Sequence, residues 1–382
     1  MTADSIHEAI RAEIEASGRT GRTPDGQSVP CFTFRDYMFL CLYHPEYGYY
    51  RSGISRVGRE GDFYTSAYVG DVMGGQLAEK LAELASERFP DEVRVEAVDW
   101  GGGTGRLGSQ MVEAWQAMGE SGRRFRLTVV EGNPSHRRQA EETLADRIEK
   151  GQARVISPEQ AESEDWAARS VIVVANELLD AFPVHRVVKR GGRLLEWAVY
   201  WDDSARGPRS CLTELSLPEL EAWLQRQSVR LAEGQTTEIG WEGAGWTARL
   251  ASLLGEALLV LIDYGDETAE LTGSHRMEGT LMCYDRHRAH ADPFHRPGEQ
   301  DLTAHVDFDL IRFRASASGC KELWYGTQKR FLVESGVLLK LAEHGIADPF
   351  HPVARRNRAI RQLLLSDGMS ELFKVQIWAK TK

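Results

Sequence analysis

The segment that most constrains this chain is Val98-Asp99-Trp100-Gly101-Gly102-Gly103-Thr104-Gly105, where an apolar strand pattern runs into glycines and then into an amphipathic helix pattern over 106–119. Glycines in such a turn permit left-handed backbone and let a ligand approach the chain beside a helix N-terminus. The surrounding sequence repeats the alternation. Helical patterns at 70–89, 106–119 and 135–149 separate short apolar strands at 94–101, 125–131, 154–157 and 171–177. Apolar strands alternating with amphipathic helices predict a parallel sheet covered on both faces.

The rhythm changes after residue 183. Residues 184–202 read as two strands about Gly191-Gly192, a hairpin signal, and 217–253 read as helical and rich in Trp and Leu. A buried strand returns at 257–265, and a strand at 321–327, a helix at 328–345 and a strand at 373–380 close the chain. Ahead of the core, Ile6, Ile10 and Ile14 recur at helical spacing, 18–30 reads as a loop, and 34–44 as a short helix. The expected organisation is an α/β fold in three parts: an N-terminal helical cap (1–60), a ligand-binding core (61–183 and 255–382), and an inserted hairpin-plus-helical subdomain for substrate or partner (184–254).

Composition narrows the function. Asp plus Glu number 57 against 46 Lys plus Arg, a net charge of −11. Phosphate contacts need clustered cations, so the balance argues against a nucleic-acid partner. Five cysteines without CxxC spacing argue against a disulfide framework or zinc knuckle and fit a reducing, cytoplasmic setting. The first 18 residues lack the apolar core of a signal peptide, and the longest apolar runs, 171–175 and 257–262, are too short to span a bilayer. His287, His290, His295 and His305 lie in an Arg-rich stretch with no acid or Cys companion at helical spacing, so no metal site is expected.

The glycine turn admits two ligands. Gly103–Gly108 spells GxGxxG, the dinucleotide fingerprint, while Asp99-x-Gly101-x-Gly103-x-Gly105 suits S-adenosylmethionine (SAM). A carboxylate at the mouth of the turn would repel a pyrophosphate and favour the sulfonium and ammonium of SAM. Glu131, followed by Gly132-Asn133 at the end of the next strand, can accept both ribose hydroxyls of an adenosine ligand, a device NAD enzymes share. The candidate cofactor residues are therefore Asp99, Gly101, Gly103, Gly105, Glu131 and Asn133. Asn176-Glu177-Leu178-Leu179-Asp180 ends the fourth strand, at the sheet edge where ligands gather. Asn176 can contact SAM or orient a nucleophile, Glu177 can grip a cationic substrate, and Asp180 can assist; either acid can instead cap the next helix.

Tyr37-Met38, His44–Tyr50, Gly61–Ser66, the glycine turn, Ala175–Val184, Asp263-Tyr264-Gly265 and Pro297–Phe308 together resemble, in order, the MidA-like SAM-dependent methyltransferases, a family that includes the mitochondrial complex I assembly methyltransferase. The resemblance implies a class I methyltransferase fold, with a Rossmann-like, seven-stranded, mostly parallel sheet, and SAM as cofactor. In the mitochondrial member it implies symmetric dimethylation of an arginine of a complex I subunit. It also implies that Gly61–Ser66 covers the methyl group, adding Asp62 to the catalytic candidates and Thr65 to the cofactor candidates. Two departures stand out: Ala67-Tyr68 replaces the family's Pro-Glu, and the turn reads DWGGGTG for the commoner ExGPGxG. The first bears on arginine as substrate rather than on SAM. The expected activity is SAM-dependent methylation of a protein side-chain nitrogen, with a small-molecule O- or N-methyltransferase or a SAM-binding assembly factor as alternatives.

Overall fold

The structure, a computed structural model, describes residues 5–51, 72–286, 288–343, 348, 350–365 and 369–381. The chain divides into two compact units, one of residues 1–54, 180–246 and 265–313, the other of 55–179, 247–264 and 314–382.

The second unit is built on seven strands: β1 (Val95–Trp100), β2 (Phe125–Val130), β3 (Ala153–Ile156), β4 (Val171–Asn176), β5 (Ala257–Asp266), β6 (Cys320–Thr327) and β7 (Phe373–Lys380). Their spatial order is β3-β2-β1-β4-β5-β7-β6. β1 to β5 are mutually parallel, and β7 runs antiparallel to both neighbours, in keeping with the seven-stranded, mostly parallel sheet that the family resemblance implies. Every side chain from Ala257 to Ile262 is fully buried, as a central strand covered on both faces requires. Helices α1 (Val72–Arg88), α2 (Arg106–Ala117) and α3 (Pro134–Thr143) flank this sheet. Leu77, Leu81, Met111 and Trp115 from α1 and α2 pack with Leu127, Ile172, Val260 and Val375 of the strands. Trp115 stacks on Phe125 with ring centroids 4.6 Å apart, and its Nε1 donates to the Ala78 carbonyl at 3.0 Å. One side chain thus fastens α1, α2 and β2 together.

The first unit departs further from expectation. The segment 18–30, expected as a loop, is a hairpin of strands Arg19–Arg22 and Ser28–Thr33. These strands join Arg193–Asp202 and Gly207–Thr213 in a sheet where Arg193–Asp202 pairs on both sides, closing the four into a ring. RTGR has no apolar alternation, so only its non-local partners make it a strand. The N-terminal segment and the insertion therefore contribute to one sheet. Within the stretch read as helical over 217–253, the helices are Pro218–Arg226 and Trp241–Leu253, with strand Thr236–Ile239 between them. Two tryptophans of the 184–254 segment are hydrogen-bonded: Trp223 Nε1 donates to Asp307 and Trp197 Nε1 to Thr236 Oγ1, each at 3.1 Å. All five cysteines are buried thiols.

The helix expected over 328–345 stops at Glu334, because Gly336 turns left-handed (φ 85°) before a 3₁₀ turn at Val337–Lys340. Among the described residues no helix is long and apolar enough to cross a membrane. Leu259→Ala, at a fully buried position of β5, is expected to cost about 2–5 kcal/mol of stability, read by denaturant unfolding.

Candidate active site

The glycine turn leaves β1 at its carboxyl end. Gly101 and Gly103 hold φ values of 76° and 56°, in the region glycine enters at little cost. A Cβ on Gly101 would lie 2.8 Å from Leu178 Cδ1, so close packing also demands glycine there. Among the described residues a Cβ on Gly103 would meet nothing within 4 Å, so bare backbone is uncovered by them at this point. Gly105, at φ 74°, forms the N-cap of α2, whose first N–H groups have no helical acceptors.

Glu131 follows β2 and is buried. Its Oε2 accepts the Gly103 N–H at 2.9 Å and its Oε1 accepts the Asn133 N–H at 2.6 Å. Asn133 in turn caps α3: its Oδ1 accepts from the Ser135 and His136 N–H groups at 2.8 and 3.3 Å. Its buried Nδ2 has no acceptor among the described residues. The Glu131 carboxylate therefore ties the glycine turn to the start of α3. Burial pushes its carboxyl above the usual range, opposed by the Asn133 and Gly103 N–H groups and the Arg137 charge.

The structure corrects the placement of Asp99. Expected at the mouth of the turn, it is 1% exposed. The Gly108 N–H donates to its carboxyl, and its Oδ2 takes no hydrogen bond among the described residues. A Cβ on Gly102 would sit 2.8 Å from that oxygen, so the carboxylate lies beneath the turn. Strand alternation decides this: the side chain of Asp99 faces α2 rather than the ligand side. Asp99 shapes the turn; its charge does not face a sulfonium from the mouth.

Asn176 ends β4. Its Nδ2 donates to Glu177 Oε1 at 3.2 Å, and its buried Oδ1 accepts nothing among the described residues. Glu177 has φ 53°, a strained value for a residue with a Cβ, and its N–H donates to the Ile262 carbonyl at 2.8 Å. The turn is held by Asp263, whose Oδ2 accepts the Leu178 and Leu179 N–H groups at 3.1 and 2.8 Å. Sequence reasoning gave Asp263 no role; its only signal was its place in the Asp263-Tyr264-Gly265 segment.

Asp180 belongs to the other unit, in the 3₁₀ turn Leu179–Ala181, and its carbonyl accepts the Ala304 N–H at 3.0 Å. That unit also buries Asp301, which accepts the Tyr50 hydroxyl at 2.8 Å. The rings of Tyr43 and Tyr50 stack 5.6 Å apart, and the Tyr43 hydroxyl donates to the Ala181 carbonyl at 3.0 Å. Burial holds the Tyr50 hydroxyl well above its usual range, and the charges of Asp301 and Asp180 add to it. Asp62 and Thr65, with Tyr68, lie outside the described residues.

The model of the Methyltransf_28 family, described as S-adenosyl-L-methionine-dependent methyltransferases, matches residues 72–326, more than half of the chain. The chain belongs to this family. It is a SAM-dependent methyltransferase, and SAM is its cofactor. A crystal structure from Burkholderia thailandensis, with S-adenosylhomocysteine bound, superposes with a TM-score of 0.85 at 29% identity, covering 98% of this chain and 92% of that one. The mitochondrial protein arginine methyltransferase NDUFAF7 homolog of Drosophila melanogaster is 27% identical over 345 residues, 82% of this chain and 71% of its own. The protein arginine methyltransferase NDUFAF7 of Rattus norvegicus, also mitochondrial, is 26% identical over 342 residues, 82% and 73% of the two chains.

In this methyltransferase a carboxyl with unusual electrostatics sits under the glycine turn. Burial, reinforced by the Glu131 charge and opposed by the Gly108 N–H, pushes the Asp99 carboxyl up to about 7. In the unfolded chain an aspartate ionises near pH ~3.9. A carboxyl raised on folding destabilises the fold once ionised, so the cost is absent below both values and complete above the higher one. The SAM-free protein should therefore lose stability as pH rises from about 4 to about 7, by a few kcal/mol at most. Asp99→Asn should flatten that slope, as thermal unfolding across the pH range will read.

Proposed function

We propose that the methyl acceptor is a protein arginine, with Glu177 as the carboxylate that aligns the guanidinium and receives its proton. The observation that carries this reading is Glu177 itself: a carboxylate held in a strained turn at the carboxyl end of β4, braced by Asp263. Guanidinium ionises above pH ~12, so an arginine substrate needs an acid at the reacting nitrogen. The names of the Drosophila and rat relatives support arginine as well.

The residues of the glycine turn fit SAM. Gly103 leaves the backbone open to the methionine portion, and the orphan Oδ1 of Asn176 suits its ammonium. Glu131 receives the ribose hydroxyls, and the free Nδ2 of Asn133 donates to the adenosine end. SAM supplies a methyl group already activated by its sulfonium. In the transfer the sulfur–carbon bond breaks, a nitrogen–carbon bond forms, sulfur becomes a neutral thioether, and the guanidinium proton passes to the Glu177 carboxylate.

The test is transfer of isotope-labelled methyl from SAM to proteins of the host lysate, with mass-spectrometric assignment of the modified residue. Methylarginine is expected. Glu177→Gln should lower kcat by about a hundredfold or more while SAM affinity by calorimetry is retained. Glu131→Ala should instead weaken SAM binding about tenfold or more, the cost of losing a charged hydrogen-bond acceptor. Label recovered only on small molecules, or a Glu177→Gln enzyme with full activity, overturns the arginine reading.

A further inference from the structure

Two thiols of the first unit meet in a place that methyl transfer does not use. Inside the ring of strands Arg19–Arg22, Ser28–Thr33, Arg193–Asp202 and Gly207–Thr213, the residues Cys31, Ala198 and Cys211 form a small buried cluster apart from the main core. Val29 and Tyr200 pack against it. Strand alternation turns these side chains to one face, and the ring closes that face upon itself. A Cβ on Gly21 would lie 2.6 Å from the Cys211 sulfur and 3.0 Å from the Cys31 sulfur. Both sulfurs therefore crowd one point, and only a residue without a side chain fits over them. The Cys211 thiol donates to the Cys31 sulfur, so the two side chains meet head-on from strands far apart in the chain.

The pair is chemically asymmetric. The hydrogen bond from Cys211 lowers the Cys31 thiol, burial opposes it, and the Arg19 charge helps. The same hydrogen bond, with burial, raises Cys211. Elsewhere burial pushes Cys41 and Cys283 up to about 12 and also raises Cys320. Of the five thiols, Cys31 is the one favoured as a thiolate, the form that reacts, and a second thiol stands against it. The ring is also thinly paired around them. The N-terminal hairpin joins the inserted strands through Arg22 with Leu212 on one side, and through Phe32 with Val199 and Thr33 with Ala198 on the other. Such a short seam opens readily and admits a small oxidant to the buried sulfurs.

We propose that Cys31 and Cys211 are a redox-active pair, joined by a hydroperoxide into a disulfide that ties the N-terminal hairpin to the inserted strand Gly207–Thr213. The Cys31 thiolate attacks one peroxide oxygen, the oxygen–oxygen bond breaks, and the departing hydroxide takes up a proton as water. Cys31 is left as a sulfenic acid. The Cys211 sulfur then attacks the Cys31 sulfur, the sulfur–sulfur bond forms, and the sulfenic hydroxyl leaves with the Cys211 proton as a second water. The two thiols give up two electrons and two protons, and the peroxide is reduced to two waters. A dithiol reverses the step. The bond closes the ring where its backbone pairing is thinnest.

The test treats the folded full chain with hydrogen peroxide, blocks the remaining thiols, and digests the product without reductant. Tryptic peptides 23–35 and 210–226, joined through Cys31 and Cys211 with loss of two hydrogens, are expected, and dithiothreitol should separate them. The oxidised chain should melt several degrees above the reduced one. In Cys211→Ala, peroxide should leave Cys31 as a sulfenic acid that dimedone traps; in Cys31→Ala, it should leave Cys211 unmodified. SAM binding by calorimetry, unchanged in both variants, reports that they fold. The proposal is overturned if both thiols stay free under peroxide in the folded chain, if the joined peptides form only after unfolding, or if Cys31 pairs with another cysteine.

Discussion

At the carboxyl edge of a parallel sheet the chain must leave its hydrogen-bond ladder, and the N–H groups of each departing loop lose their partners. Unpaired backbone groups cannot be buried cheaply. This protein meets that constraint with acids placed at the strand ends. Glu131 takes the N–H groups of Gly103 and Asn133, Asp99 takes that of Gly108, and Asp263 takes those of Leu178 and Leu179. Each acid binds the loop of a neighbouring strand or the start of a helix, so the edge becomes one linked set of turns. The ligand-binding geometry depends on this set more than on any single glycine.

The same arrangement concentrates negative charge where a cationic cofactor has to bind. Burial raises both Asp99 and Glu131, opposed by backbone N–H groups at each and by the Arg137 charge at Glu131. A positively charged ligand relieves that repulsion, so stability and SAM binding are physically linked. The strained backbone at Glu177 is a second reservoir at the same edge, maintained because Ile262 and Asp263 of β5 fix the turn from both sides. In the proposed reaction this strain holds a carboxylate ready for the guanidinium.

Much of the second unit was legible in the sequence. Its central strands β4 and β5 are continuous apolar runs, so local pattern and burial agree there. The glycine turn, Glu131 and the Asn176–Glu177 pair were likewise legible, since spacing after a strand places them at the sheet edge. The first unit was not. Arg19–Arg22 carries no strand pattern, and it becomes a strand only because Ser28–Thr33 and Gly207–Thr213 lie on either side of it. The helix expected over 328–345 ended early because a single left-handed glycine outweighs apolar periodicity.

The sequence by itself determined the order of strands and helices, the glycine turn with its following acid, and the acidic balance of the chain, because these follow from local periodicity and residue chemistry. Tertiary structure alone decided which way each acid points. Asp99 lies under the turn because its place in β1 turns it toward α2, and Asp263 became the brace of the Glu177 turn because β5 runs beside β4. It also brought an N-terminal hairpin and a distant insertion into one sheet. Pairings between segments far apart in the chain leave no local trace, because the energy that selects them appears only when both partners are present.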